Sequence, residues 1–339
     1  MTAARPSPAP APATSPAPAP APAAAASRSA TLAALGMILV YATVIGFTDN
    51  FVQVIAEEAG LWQFHATRSA MACAIVGLLA APLALRVRPR NAAAVARRSL
   101  IHGVAMVIYF GSLAFLPVAV VAAGLFTAPI FVLIISRFVY GQRIGPFRIL
   151  AVAVGFAGVL LVLGLGQGEK LGLAAFLPVA AGALYALGNI ATRQWCEGES
   201  PVTLVTGFFV ALGLFGLIGL AVLAVWQPEV PAGPEGFVRR GFVWPLPASF
   251  WFWTFMQAAG SLFAVGLVIR AYQTGEASRI AVFEYVILPM SAFWTWAIWG
   301  DTLGLAQWAG MALIVLAGAI ILLRGPRPAA GVSPEDAGA

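Results

Sequence analysis

Five ionisable side chains interrupt otherwise apolar stretches of this 339-residue chain: Asp49, His65, Arg68, His102 and Glu284. Such groups are costly to bury in apolar surroundings, and are kept where they bind something or are paired. Asp49 and Arg68 flank a predicted turn at similar depth, about 10–14 Å below the end of their helices at 1.5 Å rise per residue. His65 precedes Arg68 by three residues and shares its helix face. This cluster can be read as a substrate-binding or proton-responsive site, or as a structural ion pair pinning two helices. Glu284 lies about 7–8 Å inside a later helix, with Ser291 and Trp294 following at +7 and +10. A carboxylate above an aromatic wall suits an amine, an organic cation or a proton. The bland alternative is a carboxylate hydrogen-bonded to neighbouring helices or paired with Arg279. Thr254, Gln257 and Ser261 form a polar stripe at helical spacing, and Asn50, Asn189 and Tyr109 are further polar candidates. Any of these can line a cavity or make ordinary interhelical hydrogen bonds. The candidate substrate-binding set is Asp49, Asn50, His65, Arg68, Tyr109, Gln257, Glu284 and Trp294. No Gly-rich phosphate loop, metal-ligand cluster or Ser/His/Asp set with supporting context is visible, so no catalytic residue, cofactor or metal is expected.

The elements that position these groups follow from composition. Hydrophobic residues make up 61% of the chain and charged residues only 9%, against about 25% charged in soluble domains. Such a surface aggregates in water and is at home in lipid. Apolar runs of about 20 residues fit bilayer-spanning helices. They fall near 31–55, 62–85, 99–115, 118–138 and 149–165, then 171–192, 202–225, 250–271, 280–299 and 305–323. They are too long and too little alternating for barrel strands. The expected fold is all-α and integral to the membrane, with about ten spans. Residues 1–28 form a Pro/Ala tract that reads as a disordered tail rather than a signal peptide. Residues 325–339 form a second polar tail. The Pro- and Gly-rich stretch 226–249 is the one long loop. Cys73 and Cys196 read as two buried small residues.

The charge of +6 points to topology rather than to nucleic acid. Of 19 basic residues, Lys170, Arg239 and Arg240 fall in odd-numbered loops and Arg68 lies within the second span. The remaining 15 fall on the side of the termini, which places both termini in the cytoplasm. The chain also repeats weakly. Gly141-Gln142 after the fourth span corresponds to Gly300-Asp301 after the ninth, and Ala157-Gly158-Val159 corresponds to Ala317-Gly318-Ala319. Asp49-Asn50 can be set against Gly188-Asn189. Two units, 31–165 and 171–324, of five helices each must enter the membrane from opposite sides, an arrangement typical of secondary transporters.

The runs VAAGLFTAPIFVLIISRFVYGQRIGPFRILAVAVGFAGVLLVL and SRIAVFEYVILPMSAFWTWAIWGDTLGLAQWAGMALIVLAGAIILL resemble the closing segments of the two halves of EamA-type transporters of the drug/metabolite transporter superfamily. DNFVQVIAEEAGLWQFHATRSA resembles that family's first hairpin. The resemblance covers residues 31–324 and implies ten helices in two inverted repeats around a central cavity. The family often has Gly-Glu where this chain has Gly141-Gln142 and Gly300-Asp301.

The leading expectation is a secondary transporter, not an enzyme. It would carry a small polar or amphipathic metabolite, amino acid-like or an organic cation, across the inner membrane by alternating access. Its partners are that small molecule, the lipid bilayer and, as an open candidate, a coupling proton, with no nucleic acid. An intramembrane enzyme acting on a lipid and a non-transporting scaffold are the alternatives.

Overall fold

The computed structural model describes residues 23–112, 116, 118–164, 172–232, 234–300 and 302–323. Most of the two tails, Lys170, Asp301, Arg324 and Arg327 lie outside the described residues. Helix α1 (Ala23–Asp49) starts inside the stretch expected as a disordered tail. Its first turn is AAAAS, and alanine is the strongest helix former.

Asn50 and Phe51 form a turn before α2 (Val52–Glu58), so the first span is broken just after Asp49. Then follow α3 (Leu61–Ala80), α4 (Ala92–Ser112), α5 (Val118–Leu125), α6 (Ala128–Phe138) and α7 (Pro146–Val162). A short 3-10 turn leads into α8 (Phe176–Gln194), followed by α9 (Pro201–Trp226), α10 (Pro234–Arg239) and α11 (Ala248–Thr274). The last elements are α12 (Ala277–Phe283), α13 (Ile287–Trp299) and α14 (Leu305–Leu323). Each segment predicted as a span is helical, and the described residues contain no strand.

Among the described residues, eight helical segments are long and apolar enough to cross a membrane. The two predicted spans outside that set have clear reasons. Helix α3 carries Gln63, His65, Thr67, Arg68 and Ser69, which lower its hydropathy. Helix α7 has 17 residues, about 26 Å at 1.5 Å per residue, short of a hydrocarbon core of about 30 Å.

Besides the first, two more of the eight are interrupted. Phe126 and Thr127 separate α5 from α6, and the Thr127 hydroxyl bonds back to the carbonyl of Gly124 at 2.5 Å. A 3-10 turn at Glu284–Val286 separates α12 from α13. Both glycines that end these bipartite segments, Gly141 and Gly300, adopt left-handed backbone, at φ +62° and +74°. Glycine takes that conformation without the steric cost a Cβ imposes.

Packing does not follow chain order. Helix α1 packs on α11 and α13, whereas α3 packs on α9 and α11. Helix α11 therefore stands between the two arms of the first hairpin. Helices α7 and α14 cross so closely that a Cβ on either Gly158 or Gly310 would lie 2.6 Å from the other's carbonyl oxygen. Small residues at such crossings let backbones approach, as in other membrane bundles.

The long loop is not loose. It contains α10, and Gln63 exchanges two 2.9 Å hydrogen bonds with the backbone of Val243. Arg240 donates to the carbonyls of Ala56 and Glu57, at 3.0 and 2.8 Å. Trp62 donates its indole N–H to the carbonyl of Val238 at 2.9 Å. Cys196 is buried and Cys73 half-buried, both as free thiols.

Candidate functional site

Two polar groups emerge from the bundle, and the predicted site residues divide between them. The more buried one centres on Glu284, in the break between α12 and α13. Its Oε2 accepts a hydrogen bond from the Tyr185 hydroxyl of α8 at 2.9 Å. Its Oε1 accepts one from the Tyr272 hydroxyl of α11 and a longer one, 3.4 Å, from the Asn189 amide of α8. The Asn189 carbonyl oxygen meets Nε2 of His102, from α4, at 3.1 Å. Glu284, Tyr272, Asn189 and His102 are all buried. His102 gets there because Gly188 has no side chain, since a Cβ there would collide with the imidazole ring.

Among the described residues, none of the Glu284 partners is a cation. Arg279, the candidate partner in the sequence, pairs instead with Glu276 at 3.2 Å. Arg148 closes the same small network on Glu276, where its second nitrogen meets Oε2 at 2.9 Å. The carboxylate of Glu284 is satisfied by neutral hydroxyl and amide donors. A carboxylate so held can release its charge only by taking a proton or a cationic group, because an unpaired buried charge is costly.

The expected aromatic wall over Glu284 is not formed. Trp294 donates its indole N–H to the carbonyl of Thr43 at 3.0 Å and meets the Phe47 ring edge-on at 5.0 Å. Ser291 lies against Gly46. That face of α13 thus covers α1, while Glu284 looks towards α8 and α11. A 3-10 turn at Glu284–Val286 separates the carboxylate from that face.

The second group surrounds Asp49, at the end of the bundle that carries the α2–α3 turn. Asp49 ends α1, is solvent-accessible, and accepts a 3.0 Å hydrogen bond from the Gln257 amide of α11. The predicted Asp49–Arg68 ion pair is not formed. Among the described residues the ion pairs are those of Glu276 with Arg148 and Arg279. Asp49 and Arg68 stay apart because α11 separates α1 from α3, and Gln257 takes the place beside Asp49.

Arg68 instead holds its guanidinium 4.9 Å from the Phe64 ring centroid and 5.8 Å from that of Phe209. One guanidinium nitrogen lies 3.4 Å from Nδ1 of His65. Arg68 Nε, His65 Nε2, Gln257 Oε1 and Thr254 Oγ1 are buried without a protein hydrogen-bond partner. Buried polar atoms are nearly always satisfied, so four close together single out this region. Tyr109 is half-buried and packs edge-on against Phe110 at 5.1 Å. Phe110 in turn meets His65 at 4.9 Å. Asn50 is absorbed locally. It donates to the carbonyl of Gly46 at 2.6 Å and accepts from Thr295 at 2.9 Å, linking α1 to α13.

Tyr185 and Tyr272, the two main partners of Glu284, are absent from the set expected from sequence. The available signal was a tyrosine in the interior of an apolar helix, whose hydroxyl needs a partner when buried. Arg98, expected only as a topology marker, is buried and bonds Thr192 Oγ1 and the carbonyl of Leu204, both at 3.0 Å.

The model of the EamA-like transporter family matches residues 32–164, from α1 to just past the last turn of α7. That match covers less than half of the chain and makes its first half similar to EamA-like transporters. With its eight apolar helical segments among the described residues, the chain is a multi-pass membrane protein.

This chain is 28% identical over 216 residues to a riboflavin transporter of Rhizobium johnstonii. That match covers 63% of this chain and 65% of the relative, so it spans less than two thirds of the relative's length. A pseudopaline exporter, CntI, of Pseudomonas aeruginosa is 22% identical over 285 residues, covering 82% of this chain and 93% of that one. A crystal structure of 19% identity superposes with a TM-score of 0.66 over 87% of this chain and 98% of its own. The last likeness carries the fold alone.

Proposed function

We propose that this protein is a secondary transporter that moves a small polar or amphipathic metabolite by alternating access. The observation that carries this reading is Glu284, a buried carboxylate at the break of a bipartite helix, held by Tyr185, Tyr272 and Asn189 with no cation beside it. Discontinuous helices that place charged groups inside a bundle suit substrate and coupling-ion sites. Glu284 would bind a proton or a cationic group. Asp49, Arg68, His65, Tyr109 and Gln257 would bind the substrate from the opposite end.

The architecture fits ten spans, with α3 and α7 added to the eight apolar segments, in two inverted units of five over 31–165 and 171–324. Three features favour the repeat: the paired breaks at Thr127 and Glu284, the paired left-handed glycines Gly141 and Gly300, and the close crossing of α7 with α14. With the 15 basic residues on the side of the termini, both termini face the cytoplasm from the inner membrane. The tails flanking the two units, 1–28 and 325–339, are then cytoplasmic.

The substrate class is an amino acid-like molecule or organic cation. A second reading, a flat aromatic metabolite, has its own support. Phe51 stacks on Trp253 at 3.4 Å beside Asp49, with Phe47, Trp294 and Trp299 around it, and one relative is named a riboflavin transporter.

The test is uptake by proteoliposomes across amino acids, amines, nucleosides and vitamins including riboflavin, with and without a pH gradient. Glu284→Gln keeps the shape and removes the charge. It is expected to lower uptake of the active compound at least tenfold, or to abolish its dependence on the gradient. Unchanged uptake at every pH by folded Glu284→Gln protein would remove Glu284 from the mechanism.

A further inference from the structure

Helices α6 and α7 are consecutive, yet they diverge. Helix α6 packs on α8 and α12, and α7 packs mainly on α14. Between them lies a groove of about 830 Å³, walled by apolar side chains such as Ile134, Phe138, Ile149 and Phe156. Ile134, Phe138 and Ile149 are exposed, at 45%, 81% and 55%. In a chain of this composition that is a surface turned to lipid rather than to water. The groove ends on two arginines, Arg137 in the last turn of α6 and Arg143 in the turn before α7.

Both arginines are exposed, and neither has an ion-pair or hydrogen-bond partner among the described residues. Their neighbours differ. Arg148 and Arg279 are spent on Glu276, and Arg193 donates to the carbonyl of Gly275. Two free guanidinium groups at the mouth of an apolar groove complement a phosphate with an acyl chain attached. Arginine favours that contact because its planar fork meets phosphate oxygens two at a time.

We propose that this groove holds one anionic phospholipid, with an acyl chain between α6 and α7 and its phosphate between Arg137 and Arg143. A general positive surface potential would not need the groove, and an apolar groove alone would not need the arginines. The site requires both. It is independent of the substrate and of the Glu284 reading, because it lies on the outer face of the bundle. By holding α6 against α7, the bound lipid would stabilise a contact that the protein itself leaves loose.

The purified full chain in a neutral detergent is titrated with dioleoyl phosphatidylglycerol or dioleoyl phosphatidylcholine, reading thermal stability and lipid-bound mass by native mass spectrometry. An arginine near the surface contributes about 1 kcal/mol to anionic lipid binding. Two therefore amount to about 2 kcal/mol, or roughly 30-fold at 1.4 kcal/mol per tenfold. Arg137→Gln/Arg143→Gln is expected to raise the half-saturating phosphatidylglycerol concentration by that factor and to leave the phosphatidylcholine response unchanged. Ala157→Trp, which fills the groove and keeps both charges, is expected to weaken phosphatidylglycerol binding as well, and serves if the double variant misfolds. Arg86→Gln/Arg88→Gln, away from the groove, is the control. The proposal fails if phosphatidylcholine binds wild type as tightly as phosphatidylglycerol, or if neither groove variant loses affinity. It fails equally if the control loses as much as the Arg137/Arg143 variant.

Discussion

Removing the Tyr272 hydroxyl tests whether Glu284 is held as the structure shows. Tyr272→Phe deletes one oxygen from a fully packed site, since Tyr272 is 1% and Glu284 8% exposed. Cavity cost is small, because the ring stays. What is lost is a hydrogen bond to a carboxylate, about 1.5–3 kcal/mol, leaving Glu284 with Tyr185 at 2.9 Å and the weaker Asn189 contact at 3.4 Å. The single variant is expected to lose about 2 kcal/mol. Glu284→Gln costs less, about 1 kcal/mol, because the new amide keeps one acceptor and offers a donor towards a hydroxyl that can turn. In the Glu284→Gln background, removing the Tyr272 hydroxyl costs only a neutral hydrogen bond, about 1 kcal/mol. The double-mutant cycle should therefore show a coupling of about 1 kcal/mol, beyond the roughly 0.5 kcal/mol scatter of independent sites. Equilibrium unfolding in mixed micelles, followed by tryptophan fluorescence, measures it. Additive losses would refute the contact, and so would a Tyr272→Phe protein as stable as wild type.

Three further outcomes follow from the geometry. Because α11 separates Asp49 from Arg68, Asp49→Asn and Arg68→Gln should couple by less than about 1 kcal/mol in the same unfolding assay, where removing one member of a direct buried pair costs several. A larger recovery in the double variant would restore the ion pair. Gly188→Ala should cost about 1–3 kcal/mol by overpacking, since its new methyl meets the His102 ring, and should weaken the His102–Asn189 contact; a stability scan with a His102→Ala partner checks it, and the loss should shrink in that background. A reporter active only in the periplasm, fused to the C-terminus, is expected to stay silent, while a cytoplasmic reporter is active; the reverse would overturn the orientation.

Composition and apolar run length were enough to mark an all-helical membrane chain and to place each predicted span on a helix, because lipid demands internal hydrogen bonding and a fixed span length. Glu284 was legible for the same reason: a short acidic side chain within an apolar run must find a partner inside the protein. Which partner was not legible. Tyr185, Tyr272 and Asn189 reach Glu284 from positions 99, 12 and 95 residues away, and pairing over such distances is set by which helices adjoin. Sequence order suggested that α1 would meet α3, but α11 stands between them, so Asp49 bonds Gln257 and Arg68 turns to Phe64 and Phe209. Helical spacing put Trp294 with Glu284, but Trp294 packs on α1, where it bonds the carbonyl of Thr43. A sequence determines which residues are too polar for lipid. Helix packing and helix breaks decide whom those residues meet, because both depend on contacts between segments that local periodicity does not encode.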